Sequence, residues 1–200
     1  MKMPHKPILP RLSLEKSIEI FTEQARSAVV SRNVFIRLFE NGSGIPDGEK
    51  AMHETAPYFF HWLNTALIDY TLLQAVKLLD PATTERGGLK RKNVTCDSII
   101  LIHPDSETQD RLKSLGLIDF RPYIAEVRNR LIAHSDEESF AAQQPLGAFP
   151  TKVGQKFYTN LQEFVNILHD GIHPLQDSMI LNDVDSLISS LVQVRERRWR

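Results

Sequence analysis

The chain has 200 residues, of which 42% are hydrophobic and 24% are charged, and its formal net charge is −1. This composition is typical of one globular domain with an apolar core, and it excludes a disordered or fibrous protein. The charge excludes a globally basic protein, so a nucleic-acid partner would have to bind a local basic patch. The only cysteine, Cys96, can form neither an internal disulfide nor a cysteine-based zinc site. We therefore expect a reducing, cytoplasmic location.

The N-terminal part is predicted to be a leader followed by a long helix. Residues 1–12 contain three prolines and no apolar run, which predicts an extended leader rather than a signal peptide. Ser13 is the expected N-cap of the first helix, whose apolar residues recur near the 3.6-residue period as far as Leu38 or Phe39. Turn-forming residues at 41–48 end this helix.

The second predicted helix begins between Glu49 and Tyr58 and ends at Leu79, with Pro57 as a break or a kink. Its apolar residues cover most of the circumference, which predicts the buried central helix of a bundle. Polar residues interrupt its apolar run, so we do not expect it to span a membrane.

The remaining elements are predicted to be helices joined by loops. Residues 83–93 read as a polar loop, and Asn93 or Thr95 as the cap of a helix at 97–102. Further helices are expected at 107–115, with Gly116 as the C-terminal stop, and at 119–133, 154–169 and 182–197, with a loop at 137–152. The last helix is expected to open on a capping pattern of Asn182 and Asp185.

No segment shows the alternation of apolar and polar residues that is typical of a β-strand. The prediction is a single all-α domain over residues 1–200, an up-and-down helical bundle with additional helices and a basic C-terminal tail at 195–200.

The densest chemistry lies near the end of the predicted helix at 119–133, where Arg128 and Asn129 are followed by His134. Histidine can transfer a proton near neutral pH, and the fixed charge and forked donors of arginine suit phosphate oxygens. These two groups are the minimal equipment for cleaving RNA without a metal ion. Arg130 and His134 share a helix face, whereas Arg128 lies roughly 120° from His134 around a straight helix. Arg128 would therefore need a loosened helix or a second subunit to meet His134.

A structural interpretation of the same residues remains open. Cationic side chains stabilise the negative C-terminal end of a helix dipole, and Glu126 with Arg130 would form an ordinary surface pair. The residues alone make a ribonuclease possible and do not establish it.

The run from Val127 to Asp136 resembles the signature of the HEPN superfamily (higher eukaryotes and prokaryotes nucleotide-binding), in which an arginine, usually followed by a polar residue, precedes a histidine with four to six residues between them; here five residues separate Arg128 from His134. The apolar helix from Trp62, followed by Asp80-Pro81 and residues 93–95, is similar to HEPN proteins of the abortive-infection U type. The resemblance covers roughly residues 15–170, and it implies a helical bundle that dimerises with two copies of the motif at a shared cleft.

Carried onto this chain, the resemblance implies that Arg128 and His134 are the catalytic pair and that Asn129 orients the site. It places Arg130, Ser135 and Asp136 beside the motif as RNA-binding positions. The implied activity is a metal-independent endoribonuclease of a prokaryotic toxin–antitoxin or antiphage defence module, with no cofactor. The expected partners are RNA, a second copy of the chain and an antitoxin protein. The alternative is a non-catalytic HEPN-like module that binds RNA, nucleotide or a protein partner.

Two other segments carry charge or possible metal ligands. Lys90, Arg91 and Lys92 lie in a basic loop that either contacts RNA phosphates or is an ordinary solvated surface. His169 and His173 lie at helical spacing, but the segment lacks the glutamate of the metalloprotease motif and a third ligand nearby. We therefore predict no metal site.

Overall fold

The computed structural model describes residues 12–40, 44–86, 89–125 and 151–198. This part of the chain is predominantly helical, as the all-α prediction requires. Its elements, in chain order, are α1 (Leu14–Phe35), α2 (Gly48–Thr55), α3 (Pro57–Leu79), β1 (Thr83–Arg86), β2 (Leu89–Lys92), α4 (Cys96–Ile102), α5 (Ser106–Ser114), a 3-10 turn (Leu117–Phe120), α6 (Thr151–Leu168) and α7 (Ser178–Arg198). Residues 121–125 are also helical.

Local sequence signals fix most of the helix starts. The Ser13 hydroxyl accepts a hydrogen bond from the backbone N–H of Lys16 at 3.2 Å, which confirms the predicted N-cap of α1. α1 continues into a π-helical turn, Ile36–Glu40, close to its predicted end. Thr95 caps α4 through a capping box with Ser98. Both caps depend only on residues within four positions along the chain.

Pro57 separates two helices rather than kinking one. It lies in the first turn of α3, where its missing N–H costs nothing, and Ala56 before it leaves the helical region at φ −151°. The buried residues of α3 include Phe60 but cluster towards its C-terminal end. Phe59, Trp62 and Tyr70 are exposed. The prediction of a buried central helix is therefore wrong for one face of α3.

Residues 83–93 are not the predicted loop. β1 and β2 pair antiparallel, with Thr83 opposite Lys92 and Glu85 opposite Lys90. The prediction that no segment forms a strand is wrong here because the strands carry mainly polar and charged side chains. Such a ribbon buries little apolar surface and shows no alternation of apolar and polar residues.

The start of α7 also differs from the sequence-based prediction. The side chain of Asp177 accepts hydrogen bonds from the backbone N–H groups of Met179 at 3.0 Å and Ile180 at 3.3 Å. Asn182 and Asp185 lie within the helix, so the predicted capping pattern is wrong. α6 begins at Thr151, so the predicted loop at 137–152 extends two residues too far.

Gly116 follows the end of α5, and the backbone conformation at this position requires glycine. Its φ is +62°, a left-handed conformation that other residues adopt at a cost. An added Cβ would also lie 2.8 Å from Asp119 Oδ2. This confirms the prediction that Gly116 is the stop signal, and it allows the chain to turn into the 3-10 segment.

Two apolar cores organise the helices. The large core joins α1, the C-terminal half of α3, α4, α5, the 3-10 turn and α6, with Phe21 and Phe164 fully buried at ring centroids 5.1 Å apart. The small core joins the π turn, α2, the N-terminal half of α3 and α7 through four buried residues: Leu38, Met52, Phe60 and Ile188. Among the described residues, no helix combines the length and the apolar character needed to cross a membrane.

Candidate functional site

The six residues predicted at the catalytic motif all lie within 126–150, outside the described residues: Arg128, Asn129, Arg130, His134, Ser135 and Asp136. Their assigned roles therefore stay predictions. The structure does define where the chain enters this segment, at residues 121–125, and where it leaves, at Thr151. Those two points determine what framework the motif is attached to.

The entry point is anchored by Arg121. Its guanidinium donates from Nε to the backbone oxygen of Leu79 at 2.7 Å and from Nη2 to Asp97 Oδ2 at 2.6 Å. It therefore joins the end of α3 to the first turn of α4. Ile124, one turn further on, is buried in the large core. The segment that leads into the motif is thus fixed by both polar and apolar contacts.

The exit point is tied to the same region. Phe120 stacks on Phe157 of α6, with ring centroids 4.5 Å apart and an angle of 19° between the planes. The side-chain amide of Asn160, also on α6, donates to the backbone oxygen of Leu115 at 2.5 Å. The elements on either side of residues 126–150 therefore contact each other, and both belong to the large core.

The predicted RNA-binding cations Lys90, Arg91 and Lys92 lie on β2 and are exposed. Since successive side chains of a strand point to opposite faces, Lys90 and Lys92 share one face and Arg91 lies on the other. None of the three forms an ion pair with another residue in the described ranges. They are chemically free to bind phosphate, and binding itself stays a prediction.

The base of this ribbon is held by Asn93. Its side-chain amide donates to the backbone oxygen of Pro81 at 2.8 Å, and its backbone N–H donates to the oxygen of Ala82 at 2.9 Å. These bonds connect the chain before β1 with the chain after β2. The three cations are therefore carried on a paired ribbon with a fixed base.

His169 and His173 form a stacked pair at the end of α6, with ring centroids 4.0 Å apart and an angle of 11° between the planes. His169 Nε2 lies 3.0 Å from the hydroxyl of Thr22 on α1. Gln162 positions the second histidine, because its amide donates to the backbone oxygen of His173 at 2.7 Å and accepts from the N–H of Leu175 at 3.0 Å. The pair therefore results from the loop that folds back onto α6.

Burial and, secondarily, the neighbouring His173 lower the pKa of His169 below its ordinary value. Two imidazoles are a reasonable donor set for a metal ion, but two ligands are insufficient for a stable site. Within the described ranges, no group of three histidine, cysteine or carboxylate side chains is arranged to hold a metal ion.

Arg195, the first residue of the predicted basic tail, lies inside α7. Its Nε donates to Glu54 Oε2 at 2.6 Å, and its Nη1 lies 3.3 Å from Asp47 Oδ2. It therefore joins α7 to α2 and its charge is already paired, so it is not available as a free RNA contact.

Sequence reasoning missed the exposed aromatic face of α3. The signal was present, since Phe59, Trp62 and Tyr70 recur at helical spacing, but the pattern alone does not say which face the rest of the chain covers.

Comparison of the chain with protein-family models, curated proteins and solved structures finds no match in any of the three.

Proposed function

We propose that the chain is a HEPN-type, metal-independent endoribonuclease. We propose further that it acts in the cytoplasm as a homodimer, as the toxin or effector of a prokaryotic toxin–antitoxin or antiphage module. One observation carries this proposal: Arg128-Asn129 precedes His134 with the HEPN spacing, in a chain whose described part is predominantly helical. The cations of β2 support it, because RNA binding by a chain of net charge −1 requires a local basic surface.

The reaction is an internal transesterification. The ribose 2′-oxygen attacks the adjacent phosphorus while His134 accepts the hydroxyl proton. The bond from phosphorus to the 5′-oxygen breaks, and that oxygen takes a proton from an acid. Arg128 stabilises the negative charge that develops on the phosphate oxygens. The products carry a 2′,3′-cyclic phosphate and a 5′-hydroxyl, and in a dimer the two copies of His134 can divide the base and acid roles.

The first test is cleavage of mixed cellular RNA in the presence of EDTA, with the product ends mapped. We expect cleavage by the unaltered protein and a loss of roughly 10²-fold or more in His134→Ala and in Arg128→Ala. His53→Ala and Arg111→Ala are the matched controls, because both side chains are exposed and neither forms a side-chain hydrogen bond or ion pair within the described ranges. These controls should cleave as the unaltered protein does.

Full activity of His134→Ala would exclude the proposed chemistry. A folded protein that binds RNA without cutting it would instead favour the second candidate, a non-catalytic HEPN-like module. The free cations of β2 are the observation behind this candidate, since they serve binding without chemistry.

A separate experiment tests the ribbon. Replacing Lys90, Arg91 and Lys92 by glutamine should weaken RNA binding and lower the slope of log K against log salt by up to about 2, at roughly 0.7 per lost phosphate contact on single strands. Glutamines at three exposed cations on other elements give the matched control: Arg111, Lys156 and Arg197. An unchanged slope in the ribbon variant would remove β2 from the RNA-binding surface.

A further inference from the structure

An apolar row runs along α3, exposed at four of its five positions and half-buried at Ala66, and we name it the α3 stripe: Phe59, Trp62, Ala66, Tyr70 and Leu73. At 3.6 residues per turn, these five positions fall within about 80° of arc. The side chains remain exposed to 52% for Phe59, 64% for Trp62, 46% for Tyr70 and 41% for Leu73. A helix that is apolar on all sides is normally covered on all sides. Within the described residues, the rest of the chain covers only the opposite side of α3.

The extent of the stripe is unusual for a free surface. Tyr58, at its N-terminal end, is 89% exposed. At 150–250 Å² for each aromatic side chain, Tyr58 and the stripe leave on the order of 500 Å² of aromatic surface in solvent. This lies near the top of the range for the largest apolar patch on a monomer, about 300–600 Å². It also supplies a large share of the roughly 800 Å² that each partner contributes to a standard interface.

The spacing of the stripe is symmetric about Ala66. Trp62 and Tyr70 lie four residues on either side of it, and Phe59 and Leu73 lie seven residues on either side. When two copies of α3 cross antiparallel at Ala66, each Trp62 faces the Tyr70 of the second copy. Each Phe59 then faces the second copy's Leu73. A two-fold interface requires this kind of self-complementary pattern.

We propose that the α3 stripe is an interface for a second copy of this chain, with the two-fold axis at Ala66. The methyl side chain of Ala66 lets the helix axes approach to the 8–10 Å at which helices pack. Paired aromatic side chains then flank the axis on both sides, and such pairs contribute beyond their buried area. The second copy completes the coverage of α3 that its apolar sequence requires.

The charges around the stripe favour this occupant over a membrane surface. Helices that lie on anionic membranes carry a lysine- and arginine-rich rim. The stripe has Asp69 beside it, and Lys77 continues its row at the C-terminal end. In the antiparallel register, Lys77 lies beyond Pro57 of the second copy and therefore outside the apolar contact. A different protein would have no need for the symmetry about Ala66.

The test compares two double variants that differ only in the sign of one charge. Trp62→Lys with Tyr70→Lys places like charges opposite each other at both ends of the contact. Trp62→Lys with Tyr70→Glu places opposite charges there. We expect the unaltered protein to be a dimer by light scattering at micromolar concentration, the like-charge variant to be a monomer, and the opposite-charge variant to regain the dimer.

Leu101→Lys with Ile172→Lys is the matched control, because it adds two lysines at exposed apolar positions of α4 and of the loop after α6. It should remain dimeric. Circular dichroism and the melting temperature establish that each variant is folded. A monomeric unaltered protein, or a dimer that persists in the like-charge variant, overturns the proposal. A monomer whose Trp62 emission shifts on anionic vesicles would assign the stripe to a membrane instead.

A cysteine experiment tests the register without disturbing the aromatic residues. Under mild oxidation, Ala66→Cys should form a disulfide-linked dimer, and Thr65→Cys, one position around the helix, should not. The native Cys96 is fully buried and does not compete. Equal cross-linking at the two positions would overturn the axis at Ala66.

This proposal does not depend on the ribonuclease. A dimer through α3 that fails to cut RNA would leave the interface standing and remove the catalytic proposal. Cleavage by the like-charge monomer would retain catalysis and show that it does not need this interface.

Discussion

The two cores of the molecule are held together in different ways. The large core is almost wholly apolar and joins six elements around Phe21 and Phe164. Within the described residues, the small core has only four buried side chains, yet it must hold α7, a helix of 21 residues, against the rest of the chain. α3 contributes to both, with its C-terminal half in the large core and Phe60 in the small one.

Ion pairs compensate for the size of the small core. Arg37 forms a two-bond pair with Asp185, and Arg195 binds Glu54 and Asp47, so α7 is tied by charge at two points along its length. No equivalent pair crosses the interior of the large core among the described residues, where Arg121 and Asp97 lie at its edge. We infer that packing dominates the stability of one region and that charge contributes measurably to the other. The two regions should therefore respond differently to mutation, salt and acid.

The largest effect is expected from Phe164→Ala. This side chain is fully buried and contacts Phe21, so its removal leaves a cavity and should lower the free energy of unfolding by about 3–5 kcal/mol. The melting temperature should fall by on the order of 10 °C. Leu101→Ala, at an exposed position of α4, is the control and should change stability by less than about 0.5 kcal/mol. A loss below about 1 kcal/mol in Phe164→Ala would show that the large core is not tightly packed.

A smaller and more local effect is expected from Ile188→Ala in the small core. The cost should be about 2–4 kcal/mol, because a buried isoleucine is shortened to a methyl group. Hydrogen exchange should show that the backbone amides of α7 and α2 lose protection, whereas those of α6 remain protected. Equal loss in α6 and α7 would mean that the two cores unfold as one unit, and the comparison would then fail.

The sequence predicted those features that depend on neighbouring residues. Ser13, Pro57, Thr95 and Gly116 each act through contacts or steric limits within about four positions, so a local pattern was sufficient to place the helix ends. The helix start at Asp177 was missed because Asn182 offers an equally good local pattern. The contact that Asp185 actually makes is an ion pair with Arg37, 148 residues away, which a local pattern does not show.

Features that depend on distant residues could not be predicted in this way. The β1–β2 ribbon is defined by pairing between its strands, and its charged side chains carry no apolar period. The exposure of Trp62 depends on which helices cover α3, and the stack of His169 on His173 depends on Gln162. At the candidate site, the residue types and spacing of Arg128 and His134 can be read from the sequence, whereas their orientation requires the fold around them.

Salt should separate the two regions further. Asp185→Asn removes the carboxylate that Arg37 binds on α7, and we expect a modest fall in melting temperature at low salt, smaller than that of Ile188→Ala. The difference from the unaltered protein should shrink in 1 M salt, where the screening length is only about 3 Å. Asp110→Asn breaks a fully surface pair with Lys113 and should have no measurable effect. A fall that is independent of salt would assign the role of Asp185 to packing.

The smallest expected effect is a loss of stability in acid, which should begin at a different pH in each of the two regions. Burial lowers the pKa of His169 below the ordinary value of 6.5 at the edge of the large core, so the unfolded chain binds this proton more readily than the folded one. The contribution of His169 to the stability of the folded state is fully present above pH 6.5 and is lost as the pH falls below that value. The hydrogen bond from Arg37 lowers the pKa of Asp185 below the ordinary value of 3.8, so the small core keeps this stabilisation until the pH falls below about 4.

Melting curves from pH 8 to pH 3 distinguish these two windows. His169→Gln should reduce the fall in melting temperature between pH 7 and pH 5 and leave the fall below pH 4 unchanged. Asp185→Asn should reduce the fall below pH 4 and leave the fall between pH 7 and pH 5 unchanged. His53→Gln, which replaces an exposed histidine of α2, is the control for a general loss of imidazole charge. If His169→Gln and His53→Gln shift the curve equally, burial of His169 is not the cause. If the two variants change the fall in melting temperature over the same pH range instead, the two cores are coupled. Protonation at one core then destabilises both.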